Sequence, residues 1–238
     1  MMKKSEVKKY YDDYITEQYN IGVNDRIFLM YEKLKNLGLS PTSDVIELGC
    51  GIGVVTHLIR KTVTKGKVES VDLSGASIEF AKSKINYSNV AFYEGDITEY
   101  QPKIKQADFV TLFDVIEHIP IELHEKLFLN VSKMLREDSW LLINIPSPSS
   151  IEWDRINAPE ALQIIDQPVH LEYIVQNCSK AGLEIISFDN YSIWAENDYN
   201  FFLIRKKKIY SGKPLKLSSV QKAKRKVWRE KIKRFYNF

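Results

Sequence analysis

Cysteine is scarce in this chain. Cys50 and Cys178 are the only two in 238 residues, and no CxxC pair occurs. That excludes a disulfide framework, argues against a structural zinc site, and makes a reducing, cytoplasmic setting the expectation. No apolar run approaches the roughly 18 residues that span a bilayer. The N-terminal stretch carries lysines but no apolar core segment, so it does not read as a secretory signal. No internal repeat is visible. The lysine–hydroxyl pair of a Walker A loop is missing, which argues against nucleoside triphosphate hydrolysis. What is present is ordinary for a globular protein: 44% hydrophobic and 27% charged residues, in a length that suits one large domain with appendages.

The formal net charge of +3 hides an uneven distribution. From Arg205 to Phe238 there are 14 Lys and Arg and one acid, Glu230, which leaves 20 basic and 30 acidic residues for the rest. An acidic body with a basic tail predicts that the tail meets something anionic: a membrane surface, an anionic substrate, a nucleic acid, or the body itself. Val220, Val227, Ile232 and Phe235 recur at near-helical spacing, so 207–238 reads as a basic amphipathic helical tail. A helix packed on the domain edge with a solvated basic face fits the same pattern.

Residues 1–40 read as a tyrosine-rich helical lid or cap, ending at Gly38 and Pro41. A domain over 41–206 then alternates strands and helices. Strands are expected at 45–48, 67–71, 90–93, 108–113, 140–145, 183–188 and 199–205. Helices are expected at 54–61 and 74–85, along Leu123, Leu127, Val131, Met134 and Leu135, and along Leu171, Ile174, Val175 and Cys178. Such alternation predicts an α/β fold with a doubly wound, mostly parallel sheet, whose ligand lies beyond the carboxyl ends of the central strands. The segment 146–169 shows little regular pattern and follows the fifth strand, so it reads as a substrate-side insertion.

Gly49, Gly51 and Gly53 join the first strand to a helix, where the chain must turn tightly and let a ligand approach its backbone. Asp72 ends the next strand, 19 residues after Gly53. An acid there can accept both hydroxyls of a ribose. The pattern is GxGxG with Val54 next, not the dinucleotide GxGxxG, so it fits a nucleoside without a pyrophosphate. A glycine-rich turn with Asp72 as a cap is the purely structural alternative.

These residues resemble the class I S-adenosylmethionine-dependent methyltransferases. The run Glu47-Leu48-Gly49-Cys50-Gly51-Ile52-Gly53 is similar to their first motif, and Val71-Asp72-Leu73-Ser74 to their ribose-binding strand end. Gly95-Asp96-Ile97 is similar to their adenine-side motif. The run from Phe113 to Ile119, Phe-Asp-Val-Ile-Glu-His-Ile, resembles the stretch after strand four in the small-molecule subgroup that includes ubiquinone-type O-methyltransferases. The resemblance covers about residues 40–206.

The resemblance implies a Rossmann-like seven-stranded sheet in the order 3-2-1-4-5-7-6, with strand seven antiparallel. It implies S-adenosyl-L-methionine as methyl donor and S-adenosyl-L-homocysteine as product. Glu47, Gly49, Cys50, Gly51 and Gly53 form the loop against the methionine part, Asp72 with Leu73 holds the ribose, and Gly95, Asp96 and Ile97 meet the adenine. Phe113 and Asp114 line the methionine moiety. Tyr11, Tyr14 or Tyr19 closes over the ligand from the N-terminal helix, or packs that helix.

Methyl transfer from a sulfonium is an in-line displacement, and a hydroxyl acceptor needs a base. His118 is the first candidate, since an imidazole with an ordinary pKa of about 6.5 suits proton acceptance. Glu117 can orient it, take the proton itself, or bind a divalent metal with a catechol-like substrate. The same pair can simply cap its loop. His170, near Asp166 at a helix start, is the second candidate, with a structural role as the alternative. His57 and His124 read as ordinary, and Trp153, Asp154 and Arg155 as possible substrate contacts by position. The expectation is therefore a methyltransferase acting on a small-molecule acceptor, most readily a hydroxyl of a sugar, lipid-linked or natural-product substrate. A nucleic-acid enzyme gripping with the tail is disfavoured by the acidic body and by the absence of an Asn/Asp-Pro-Pro-Tyr motif after strand four. A non-catalytic methyltransferase-like binding module is the third reading.

Overall fold

The computed structural model describes residues 4–212 and 216–236. Residues 1–3, 213–215 and 237–238, parts of the expected N-terminal cap and tail, lie outside the described residues. The chain forms two compact units, Met1–Lys207 and Lys208–Phe238.

The first unit opens with three helices, α1 (Lys4–Asp13), α2 (Ile15–Ile21) and α3 (Asp25–Asn36). Asn24 starts α3 by accepting the Ile27 amide at 3.0 Å. Then come β1 (Val45–Leu48), α4 (Val54–Thr62), β2 (Val68–Asp72), α5 (Gly75–Lys84), β3 (Val90–Glu94) and β4 (Ala107–Phe113). Next are α6 (His124–Met134), β5 (Leu135–Pro146), α7 (Pro148–Asn157), α8 (Leu171–Lys180), β6 (Leu183–Tyr191) and β7 (Tyr199–Lys206). The second unit holds α9 (Ser219–Tyr236). Among the described residues, no helix is long and apolar enough to cross a membrane.

The seven strands form one sheet in the order β3-β2-β1-β4-β5-β7-β6, with β7 antiparallel to both neighbours. Strand residues alternate between two cores, because successive side chains in a strand point to opposite faces. Val45, Phe109 and Leu142 pack with Ile27, Met30 and Leu34 of α3 and with Val55, Leu58 and Ile59 of α4. Ile46, Val110 and Ile143 pack with Leu127, Phe128 and Val131 of α6 and Ile174 and Cys178 of α8. Burial on both faces explains why β1 and β4 carry apolar residues on both sides of the sheet, with Glu47 and Thr111 as buried polar exceptions. The strand order reverses between β1 and β4. Register places Leu48 beside Val71 and Leu112, so Gly49, Asp72 and Phe113 emerge at one end, around that switch point.

Three expectations need correction. Leu135 begins β5 rather than continuing the α6 stripe, and Leu123 lies in the 3₁₀ turn Ile121–Leu123 before α6. The strand 140–145 starts five residues earlier, through an irregular register beside Ala107 and Phe109. The segment 146–169 contains a regular helix, α7, started by Ser147, whose hydroxyl accepts the Ser150 amide at 3.2 Å, with Pro148 in the first turn.

Candidate functional site

The turn after β1 holds Gly49, Gly51 and Gly53 at φ of 78°, 51° and 82°, a left-handed conformation that side chains other than glycine rarely adopt. A Cβ on Gly49 would fall 2.4 Å from Val115 Cγ2, so the turn is wedged against the segment after β4. The Gly49 and Cys50 amides bond the Val71 carbonyl at 2.7 and 3.0 Å. Asp72 completes the turn: its Oδ2 accepts the Gly51 amide at 2.7 Å and its Oδ1 the Ser74 amide at 2.9 Å. Burial raises the Asp72 pKa, and these backbone bonds oppose the rise. Each ionised carboxylate oxygen still has room for a second donor.

Several expected cofactor residues have their side chains turned inward. Glu47 is buried, and its Oε2 accepts the hydroxyls of Thr56 and Ser70. Burial pushes its carboxyl up to about 7 despite those bonds. It therefore buttresses the glycine turn from beneath. Cys50 packs with Ile78, Ala81, Ile85 and Phe92, Ile97 lies in the main core, and Phe113 lies in the core on the other face. Leu73 is half-buried at the tip of β2. Asp96 Oδ1 accepts the Thr98 amide and hydroxyl at 2.9 and 2.8 Å, which shapes the turn that follows Gly95.

The N-terminal helices cross the same end of the sheet. Lys8 pairs with Glu94 at the end of β3, and Asp12 Oδ1 accepts the Ser74 hydroxyl at 2.5 Å. Gln18 of α2 lies over Gly51, 3.1 Å from where a Cβ would sit. Tyr11 is turned inward; its ring centroid is 5.9 Å from that of His118, and its hydroxyl is buried without a hydrogen-bond partner among the described residues. Tyr14 stacks on Tyr10 instead. Tyr19 is 56% exposed and packs edge-on against Phe80, flanking α5.

The second half of the site follows β4. Asp114 adopts φ 55°, unusual for a residue with a side chain. Its Oδ2 lies 3.2 Å from Arg26 Nε of α3. Arg26 also donates to the Tyr199 hydroxyl at 2.9 Å, and its guanidinium lies 5.6 Å from the Trp194 ring centroid. Glu117 and His118 occupy the 3₁₀ turn Ile116–His118. Neither Glu117 carboxylate oxygen has a hydrogen-bond partner among the described residues, and its side chain is 1% exposed. His118 Nε2 stands 3.8 Å from Glu117 Oε1. Its Nδ1 lies 2.9 Å from Asp166 Oδ1 and 2.6 Å from the Ile165 carbonyl.

This electrostatic arrangement retains protons. Burial pushes the Glu117 carboxyl up to about 8, opposed by the His118 charge. Burial alone would lower His118, but Glu117 and Asp166 outweigh it and lift the imidazole to about 9. Both groups therefore hold their protons more tightly than they would in water, and an accepting position opens only as pH rises above the ordinary carboxylate range.

His170 is not brought to this cluster. It is 44% exposed and lies 3.6 Å from Glu152 of α7. Asp166, four residues earlier, takes the place beside His118. Gln167 joins it, its amide donating to the Glu117 carbonyl at 3.0 Å and its Nε2 to the Ile119 carbonyl at 2.9 Å. His124 is buried, with Nε2 within 3.0 Å of the Ile116 carbonyl and 2.9 Å of the Ile119 carbonyl, so it pins the turn that carries Glu117 and His118. Arg26 and Asp12 carried no local signal in the sequence, because each meets its partner only through the tertiary fold.

A methyltransferase-domain family model matches residues 24–188. A malonyl-[acyl-carrier protein] O-methyltransferase of Porphyromonas gingivalis is 29% identical over 161 residues, covering 68% of this chain and 56% of that protein. A mitochondrial ubiquinone biosynthesis O-methyltransferase of Candida albicans is 25% identical over 143 residues, covering 56% of this chain and 41% of that protein. These matches thus span about half the length of the curated relatives. Among solved structures, magnesium protoporphyrin IX methyltransferase of Synechocystis, with bound SAH, superposes with a TM-score of 0.66 at 16% identity, over 85% of this chain and 99% of that one. The glycine turn, the strand order and these matches agree: the chain belongs to the methyltransferase-domain family and has the class I S-adenosylmethionine-dependent methyltransferase fold.

Proposed function

We propose that this chain transfers a methyl group from S-adenosylmethionine to an oxygen of a small-molecule acceptor. When bound, that cofactor supplies an electrophilic methyl on a sulfonium. The residues present fit it. The left-handed glycine turn gives close backbone approach, Asp72 offers its remaining lone pairs to the ribose, and Gln18 Oε1 and the Tyr11 hydroxyl, without hydrogen-bond partners among the described residues, give polar contacts from the N-terminal helices. Gly95 and Asp96 form the adenine-side turn, and Asp114 borders the methionine side.

The observation that carries the acceptor chemistry is the buried Glu117 carboxyl beside His118, without a hydrogen-bond partner among the described residues. An orphaned ionisable group just beyond β4, two residues after the Val115 that meets Gly49, fits proton handling better than stability. Glu117 and His118 take the proton of a hydroxyl acceptor, and α1 with the 163–167 segment excludes water. A second reading is favoured by the similarity to malonyl-[acyl-carrier protein] methyltransferases. There the acceptor is a carboxylate, which needs no base. The basic tail suits contact with an anionic membrane surface or substrate at a peripheral cytoplasmic location.

The test is tritiated methyl transfer from S-adenosylmethionine to a panel of catechols, sugar alcohols, polyprenyl phenols and dicarboxylic monothioesters. With a hydroxyl acceptor, the rate should climb as pH passes about 8, and Glu117→Gln should lower kcat by about 10²–10⁴-fold. A pH-independent rate on a monothioester selects the carboxylate reading. No transfer to any member, with the cofactor bound, counts against a small-molecule acceptor.

A further inference from the structure

We propose that Asp166 is a positioning residue that holds the His118 proton on Nδ1 and leaves Nε2 as the proton-accepting atom. The inference rests on the reading of Glu117 and His118 as the proton-handling pair.

His118 Nδ1 faces two groups that can only accept, the Ile165 carbonyl at 2.6 Å and Asp166 Oδ1 at 2.9 Å. Two acceptors at one ring nitrogen require a hydrogen there, which fixes the neutral tautomer. Nε2 then carries the lone pair, on the side where Glu117 Oε1 lies 3.8 Å away. Asp166 is itself locked in place. Its Oδ2 accepts the Gln163 amide at 2.6 Å, and its backbone carbonyl accepts from Arg155 Nη2 at 2.6 Å. Its side chain is 11% exposed and that of His118 12%, so solvent screens the contact weakly. The charged and titratable groups facing His118 are Glu117 on its own turn, Asp114 at the end of β4, Asp166 on the segment after α7, and Tyr11 from α1. Of these, only Asp166 reaches Nδ1.

This gives the segment 146–169 a defined task. It delivers one carboxylate from a distant part of the chain to the back of the imidazole. A base held in one tautomer by a buried acid needs no reorganisation when the acceptor arrives.

The experiment is ¹⁵N-edited NMR of the His118 ring in the full chain saturated with S-adenosylhomocysteine, through its titration, for the native protein, Asp166→Asn and Asp166→Ala. In the native protein the neutral ring should be protonated at Nδ1. Both variants should move the His118 midpoint down by about one pH unit or more, since an opposite charge within hydrogen-bond distance is lost. Asp166→Ala should also let the Nε2–H form appear. A native ring protonated at Nε2, or a midpoint unmoved in a folded variant, overturns the proposal. If neither variant folds, the native tautomer alone decides. Calorimetric titration of S-adenosylhomocysteine into the same native sample separates the two readings. Failure to bind sinks the methyltransferase assignment, whereas binding with the wrong tautomer sinks only the role of Asp166.

Discussion

The two halves of the candidate site are built on opposite principles. Around the glycine turn, the acids have protein partners: Asp72 accepts the Gly51 and Ser74 amides, and the buried Glu47 accepts the Thr56 and Ser70 hydroxyls. Beyond β4, Glu117 is buried with no hydrogen-bond partner among the described residues, Asp114 sits at a positive φ, and one imidazole stands between two carboxylates. A satisfied network makes a rigid cradle. An unsatisfied one costs stability and persists where chemistry uses it. The contrast separates a half that binds from a half that reacts.

The sharpest way to break this comparison is at Gly49. Gly49→Val places a branched side chain where even a Cβ meets Val115 at 2.4 Å, at φ 78°. Binding of S-adenosylhomocysteine should fall below detection by calorimetry. Adding Val115→Ala relieves the contact but not the backbone strain, so affinity should return only in part. Full affinity in the single variant would show that the turn is not the cradle.

A smaller effect distinguishes the reacting half. The Glu117 carboxyl is raised from an ordinary 4.5 to about 8 in the folded protein. The folded state therefore holds this proton more tightly than the unfolded chain does. That stabilisation is complete below about 4.5 and is lost as pH rises through about 8. His118, raised from 6.5 to about 9, acts in the same direction. Thermal melts should show Tm falling between pH 5 and 9 more steeply in the native protein than in Glu117→Gln. Parallel curves would mean that Glu117 is not held protonated.

The same contrast explains what the sequence makes visible. The binding half is written within short stretches: three glycines in five positions after a strand, an aspartate at the end of the next strand, and alternating elements that imply the 3-2-1-4-5-7-6 sheet. The reacting half is gathered from α1, α3, the turn after β4, the 163–167 segment and the start of β7. Glu117 and His118 stand out through their motif. Asp166 appears beside them only because the chain after α7 folds back onto the turn, and Arg26 meets Asp114 across 88 residues. The α7 helix was legible in principle, from Ser147 and Pro148 at its start, but its mixed composition gives no apolar stripe, and only Ile151 is buried. His170 has the residue type of a base, while the tertiary fold turns it toward Glu152.

The most direct measurement is calorimetric binding of S-adenosylhomocysteine to the native chain and to Asp72→Ala. Loss of a carboxylate that accepts two ribose hydroxyls should weaken binding by about 10²–10⁴-fold, at about 1.5–3 kcal/mol for each hydrogen bond to a charged group. Equal affinity in a folded Asp72→Ala protein would contradict the placement of the nucleoside at the tips of β1 and β2.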